Sequence, residues 1–180
     1  LHDGHIPPIM EMERAPDVDK LLLGIGSSQY GGTFYNPFWA HERQRIAEKT
    51  LEGKLSKPVS FVHIEDIHDY PNWICHVERT ALISPESTIV YVPGNTIVQD
   101  LFRNRGYEVR TMPLVDGISA SRIRELMMSG GAFSKHLPSA VLEELAKING
   151  VERIRQYGRN IGIKPIDASE IVVVQGSSTI

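Results

Sequence analysis

The run KLLLGI at 20–25, followed by GSSQ at 26–29, decides the fold. Its nearly continuous apolar character, closed by small and polar residues, predicts a strand covered on both faces that ends in an open turn. Runs at 59–64 (VSFVHI), 88–92 (TIVYV) and 107–112 (YEVRTM) have the same apolar, β-branched build between turn residues. Between these runs the spacing changes to that of helices. One helix begins near Pro37 and carries Ala40, Ile46, Ala47 and Leu51 on one stripe. Others are predicted over 72–82, 95–104, 119–128, 138–148 and 151–157, with Gly106 as a stop for the one over 95–104. Strand alternating with helix predicts an α/β fold with a mainly parallel sheet flanked by helices. In such sheets ligands sit beyond the carboxyl ends of the strands. That rule selects 26–29, 65–73, 93–95 and 116–124, where glycine, serine, asparagine and tryptophan gather.

Composition narrows the function. The 180 residues are 41% hydrophobic and 23% charged, as in an ordinary globular domain. A net charge of −3 argues against broad electrostatic binding to nucleic acid or to an anionic membrane. No apolar run approaches the ~20 residues needed to cross a bilayer. Cys75 is the single cysteine, so an internal disulfide is excluded and a reducing cytoplasm is the expected setting.

Four segments carry chemistry. His2-Asp3-Gly4-His5 sets two histidines three apart at a helix entrance, on one side of it. Ring N–H groups together with helix N-terminal amides make a phosphate site, and Gly4 lets a phosphate approach the backbone. Two exposed histidines on a turn would explain the same letters, and a metal pair lacks a third ligand at the right spacing. ISASRIR at 118–124 offers Ser119 and Ser121 as helix caps and phosphate donors, with Arg124 about one turn further on. A capped helix with a solvated basic face is the plainer reading. Gly26, Ser27 and Gln29 leave backbone amides open after the first strand, though a simple turn would look alike. Gly94 and Asn95 follow the third strand, where Asn95 can cap a helix, bind a nucleotide, or both. Trp73 offers a face to a heterocycle or belongs to the core.

In their order and spacing these segments resemble the HxGH nucleotidyltransferase superfamily, whose paired signature is HxGH with ISxSxxR. More closely, the chain resembles its archaeal-type branch of nicotinamide-nucleotide adenylyltransferases. The resemblance rests on GIGSSQ (24–29), NPFWAHER (36–43), EDIHDYPNWICHV (65–77), GNTIVQDLFRNRGYEV (94–109), ISASRIRELM (118–127) and LPSAVLEELAKINGVERIR (137–155). It implies a Rossmann-like sheet of order 3-2-1-4-5 and transfer of AMP from ATP to nicotinamide mononucleotide, with Mg²⁺ carried on the phosphates. By the same resemblance His2, His5 and Arg124 are the catalytic groups, and Gly4, Gly94, Asn95, Ser119 and Ser121 bind ATP. Gly26, Ser27, Gln29, Asp66, Ile67 and Trp73 form the acceptor pocket. No protein residue is implied as a metal ligand, and relatives of this kind assemble into homo-oligomers.

Some features depart from the pattern. Relatives carry a first strand ending in GR-F/M-Q-P before HxGH, and neither that strand nor its arginine is present. This fits a chain cut at its front; the alternative is an inactive relative. Ser121 replaces the usual threonine, His41 a frequent glycine, and Pro7-Pro8 stiffen the entry to the first helix. The expected division is a nucleotidyltransferase domain over 1–158 and a linker or tail over 159–180. Within that tail IVVVQ (171–175) resembles the opening strand of a Nudix domain; an edge strand or tail is the other reading. Two functional alternatives remain at this level. One is adenylyl transfer to another phosphorylated acceptor, and the other is nucleotide binding without catalysis.

Overall fold

The computed structural model describes residues 1–92, 95–111 and 118–162. Strands β1 (Leu21–Ile25) and β2 (Val59–His63) pair in parallel, with Leu21 beside Val59 and Ile25 beside His63. Strands β3 (Ile89–Tyr91) and β4 (Glu108–Arg110) form a second parallel pair. A helix separates the members of each pair, as a parallel crossover requires. These crossovers are α2 (Ala40–Leu51) and α4 (Thr96–Asn104). Helix α1 (Ile6–Arg14) precedes β1, and α3 (Tyr70–Ala81) connects the two pairs. The chain closes with α5 (Ala120–Ser129), α6 (Ser139–Lys147) and α7 (Gly150–Asn160).

The expected α/β class and parallel pairing are present, with two differences in the sheet. Instead of one continuous sheet there are two pairs, which match positions 3-2 and 4-5 of the expected order. No strand among the described residues lies between them. Arg110 of β4 donates through Nη1 to the Tyr91 hydroxyl of the neighbouring β3 at 2.9 Å and to Asp17, in the segment between α1 and β1, at 3.1 Å. Second, β1 is not covered on both faces. Leu21 is buried, but Leu22 is 38% exposed, because α2 packs over one face only.

Helix ends follow local chemistry. Pro7 and Pro8 occupy the first turn of α1, where the missing N–H costs nothing. Asp69 caps α3 by accepting the Asn72 N–H, so this helix starts a little before the predicted 72. Gly130 ends α5 at φ +74°, a left-handed conformation that glycine adopts without a Cβ clash. Asn149 takes the same region at φ +52° and turns α6 into α7. Helix α7 continues past residue 158 to Asn160, and the strand-like run at 171–175 lies outside the described residues.

Three clusters make the core. The largest joins α2, α5, α6 and α7 through Phe34, Ile46, Ile123, Met127, Val141, Leu145 and Ile154. Burial of each such side chain contributes roughly 1.5–3 kcal/mol. Ile74, Val77, Phe102 and Tyr107 set α3 and α4 against the β3–β4 pair. Ile9, Leu21 and Leu51 hold α1 and α2 against β1. Leu1 packs against both the first and the third cluster, which brings the adjoining His2 to their common border.

Candidate active site

The carboxyl ends of β1 and β2 are knotted together by side chains. Ser27 donates its hydroxyl to Asp66 at 2.6 Å. Gln29 spans the same gap twice, its amide N–H to the Asp66 carbonyl at 2.8 Å and its carbonyl from the Asp66 N–H at 3.1 Å. Ser27 sits at φ +50°, where a non-glycine residue costs about 1 kcal/mol or more. Two grips hold it there: Asp66 on the hydroxyl, and Arg43 on the carbonyl. Arg43, in the first turns of α2, donates to the Gly26 carbonyl at 2.6 Å and to that of Ser27 at 2.9 Å. A Cβ at Gly26 would project into open space, so a ligand can approach the backbone there. Of the expected acceptor residues, Gly26, Ser27, Gln29 and Asp66 are therefore one hydrogen-bonded unit, with Ile67 next in the chain. Trp73 stands on α3, half-buried, its ring edge-on to Phe102 at 5.9 Å between centroids. It is in part a core residue, as the plainer reading had it, and keeps some surface open.

His2 precedes and His5 ends a single helical turn, Asp3–His5, that contains Gly4 and leads into α1. Their rings lie 3.8 Å apart between centroids. The backbone N–H of His2 donates to Nδ1 of His5 at 3.1 Å. Nδ1 of His5 is thus an acceptor, which puts the proton on Nε2 when the ring is neutral. Nδ1 of His2 is buried without a partner. Desolvation lowers both rings to about 4; for His5, whose residue is otherwise exposed, the neighbouring His2 adds to the effect.

At the start of α5, Ser119 accepts the Arg122 N–H at 3.1 Å and Ser121 accepts from Nη2 of Arg124 at 3.1 Å. The Arg124 guanidinium lies 5.7 Å from the Phe34 ring centroid, and Phe34 belongs to the cluster that Leu1 touches. Burial lowers the Arg124 guanidinium; burial also lowers that of Arg43, partly offset by Asp66. Nε of each is buried without a partner. Neither arginine has a carboxylate within ion-pair distance among the described residues. Asn95 caps α4 by accepting the Val98 N–H at 3.2 Å, and Gly94 lies outside the described residues.

Arg43 was not among the residues picked out by sequence. Its one signal was its place at the end of NPFWAHER, since an arginine that grips two carbonyls leaves no periodic trace.

Charge and burial together predict a pH effect. Each histidine binds its proton near pH 6.5 in the unfolded chain and near 4 in the folded one. Between these values the unfolded state holds more protons, so stability rises with pH and is lost as pH falls from about 6.5 to about 4. The midpoint of thermal unfolding should drop over this window without ligand. Tripolyphosphate, which favours the charged rings, should reduce the drop. Calorimetry at pH 6.5 and 5 that found equal midpoints would count against the burial of these rings.

Parallel β–α–β pairs, two close imidazoles ahead of α1 and two buried guanidiniums without an ion-pair partner among the described residues are compatible with the class of nucleotidyltransferases. No protein-family model matches the chain. It is 36% identical over 157 residues to nicotinamide-nucleotide adenylyltransferase of Thermoplasma acidophilum, across 86% of this chain and 84% of that protein. It is 35% identical over 166 residues to the nicotinamide-nucleotide adenylyltransferase of Pyrococcus furiosus, across 89% and 85%. With that of Halorubrum lacusprofundi it shares 35% over 171 residues, 93% of each chain. This chain belongs to the nicotinamide-nucleotide adenylyltransferase family.

Proposed function

We propose that the chain transfers AMP from ATP to nicotinamide mononucleotide, forming NAD and pyrophosphate. The observation that carries this reading is the pair of desolvated guanidiniums, Arg43 and Arg124, with no carboxylate paired to either among the described residues. Such groups are costly until an anion arrives. In the proposed reaction an oxygen of the acceptor's 5′-phosphate attacks the α-phosphorus of ATP, and the bond to the leaving pyrophosphate breaks. Two anions must meet, so positioning and charge compensation are what the protein contributes. His2, His5 and Arg124 are assigned to the phosphates of ATP, with Gly4, Ser119, Ser121, Gly94 and Asn95 around the nucleotide. Gly26, Ser27, Gln29, Asp66, Ile67 and Trp73 are assigned to the acceptor.

Among the described residues no three His, Cys, Asp or Glu side chains gather where they could hold a metal ion. Mg²⁺ is assigned to the ATP phosphates, where it would supply charge neutralisation. The single Cys75 supports a reducing, cytoplasmic setting. No helix among the described residues is long and apolar enough to cross a membrane. Assembly into a homo-oligomer is part of the same proposal and rests on the family alone.

The decisive assay supplies ATP with nicotinamide mononucleotide, and separately with flavin and pantetheine phosphates, and follows pyrophosphate and dinucleotide. Pyrophosphate release with the nicotinamide acceptor alone is expected. Release with another acceptor only would reassign the pocket, and binding without release would remove catalysis. In the same assay Trp73→Ala should raise the KM for the nicotinamide acceptor. Stacking on a base is worth roughly 1–3 kcal/mol, or about 5- to 150-fold, with a smaller effect on kcat.

A further inference from the structure

Arg153 of α7 faces the first turn of α2 and ends in a complete fork. Nη1 donates to Oε1 of Glu42 at 2.5 Å, and Nη2 donates to Oε2 at 2.9 Å and to the Pro37 carbonyl at 3.0 Å. The Phe38 ring lies 5.3 Å below the guanidinium, and the two charged side chains are only 21% and 14% exposed. A pair so far withdrawn from water adds little net stability, because desolvation offsets its attraction. Its bidentate geometry instead fixes where both partners point. Glu42 transmits that constraint. Its Oε2 also accepts the Trp39 N–H at 2.8 Å, closing the first turn of α2.

From this turn two side chains reach the loop that follows β1. Arg43 holds the Gly26 and Ser27 carbonyls. Trp39 lies flat on Gly31, where an added Cβ would come within 2.3 Å of the indole. Both ends of the loop therefore depend on one helical turn, and that turn depends on Arg153.

We infer that Arg153 is a positioning residue for the acceptor pocket, acting through Glu42 on the 26–32 loop. The inference rests on the assignment of Gly26, Ser27, Gln29 and Asp66 to the acceptor. Arg153 touches neither substrate in this scheme. Its loss loosens the loop and leaves the His2–His5 pair and Arg124 in place.

Two readouts on the full chain test it. Amide exchange reports the loop without any substrate. The Ser28 N–H bonds to the Ile64 carbonyl at 3.0 Å, and that of Tyr30 to the Ser27 carbonyl at 3.1 Å. In Arg153→Gln their protection should fall about tenfold or more, while that of α4 amides stays within about twofold. In steady state the KM for nicotinamide mononucleotide should rise about tenfold, with the KM for ATP within about twofold. Glu42→Gln should mimic the change and add little to it in the double variant, since both act through one link. Arg153→Lys keeps the charge but not the fork, so it should fall between. Should Arg153→Gln not fold, the lysine variant carries both comparisons. Equal loss of protection everywhere, unchanged loop exchange, or a fall in kcat with both KM values intact would each overturn the assignment. If the wild-type chain forms no NAD, the acceptor reading fails, and loop exchange still decides the clamp.

Discussion

Arg124→Ala should lower kcat/KM about 10²- to 10³-fold, the loss found when one preorganised donor to a developing charge is removed. The argument begins with what the guanidinium lacks. It has one hydrogen bond, to Ser121, a buried Nε without a partner, and no paired carboxylate among the described residues. A cation left in this state destabilises the ligand-free protein, since its desolvation is not repaid. Its removal should therefore leave the unfolding temperature of the free chain unchanged or slightly raised, the reverse of most substitutions next to a core. The ring of Phe34 would lose its cation but keep its packing on Ile123 and Met127. Arg124→Lys should recover part of the rate, because an ammonium restores charge without the planar fork. Paired measurements of kcat/KM and of unfolding temperature check both halves. A variant that lost stability in step with activity would show Arg124 to be a structural residue, and the proposed phosphate site would lose its cation.

This arrangement was only partly legible in the amino-acid sequence. Local features read well. The strands were found within a residue or so at most ends because Gly26 and the small residues after it mark where the apolar run of β1 stops. Helix α3 was entered late, at 72 rather than Tyr70, although Asp69 and Pro71 both signal a start. The rule that ligands gather at strand carboxyl ends brought Ser27, Gln29 and Asp66 into view as candidates. Adjacent parallel strands then made their contact almost unavoidable.

Contacts set by packing were not legible. Arg43 and Arg153 look like ordinary helix-surface charges in a string of letters. Their partners are backbone carbonyls and a glutamate 111 positions away, which no periodicity encodes. The open face of β1 was hidden for the same reason, because an apolar run reports what a strand would tolerate and not what lies upon it. Family resemblance supplied the roles of the histidines. Their close, tilted approach is a packing result, and desolvation with the neighbouring charge lowers their affinity for protons, neither of which composition shows.

His5→Ala should reduce turnover by about 10²-fold or more, with a smaller effect on acceptor binding, if the ring acts on charge that develops as pyrophosphate leaves. The tautomer makes the prediction sharper. Because Nδ1 accepts the His2 N–H, a neutral His5 carries its proton on Nε2 and is a donor at neutral pH. With the free ring lowered to about 4, that neutral form prevails well below pH 6.5 in the unliganded enzyme. The pH profile of kcat/KM reports the free enzyme and the free substrates, so beyond the titration of the substrate phosphates at about pH 6 it should show no inflection from His5 near 6.5. His5→Gln separates donor from acid. A glutamine amide can donate from near the position of Nε2 but cannot take a proton. If donation suffices, Gln should recover about tenfold over Ala; if proton transfer is required, the two variants should be equally slow. Near-normal turnover in His5→Ala would remove the histidine from the mechanism altogether. It would leave the phosphates to Arg124 and the helix amides, whose charge alone would then have to account for the rate.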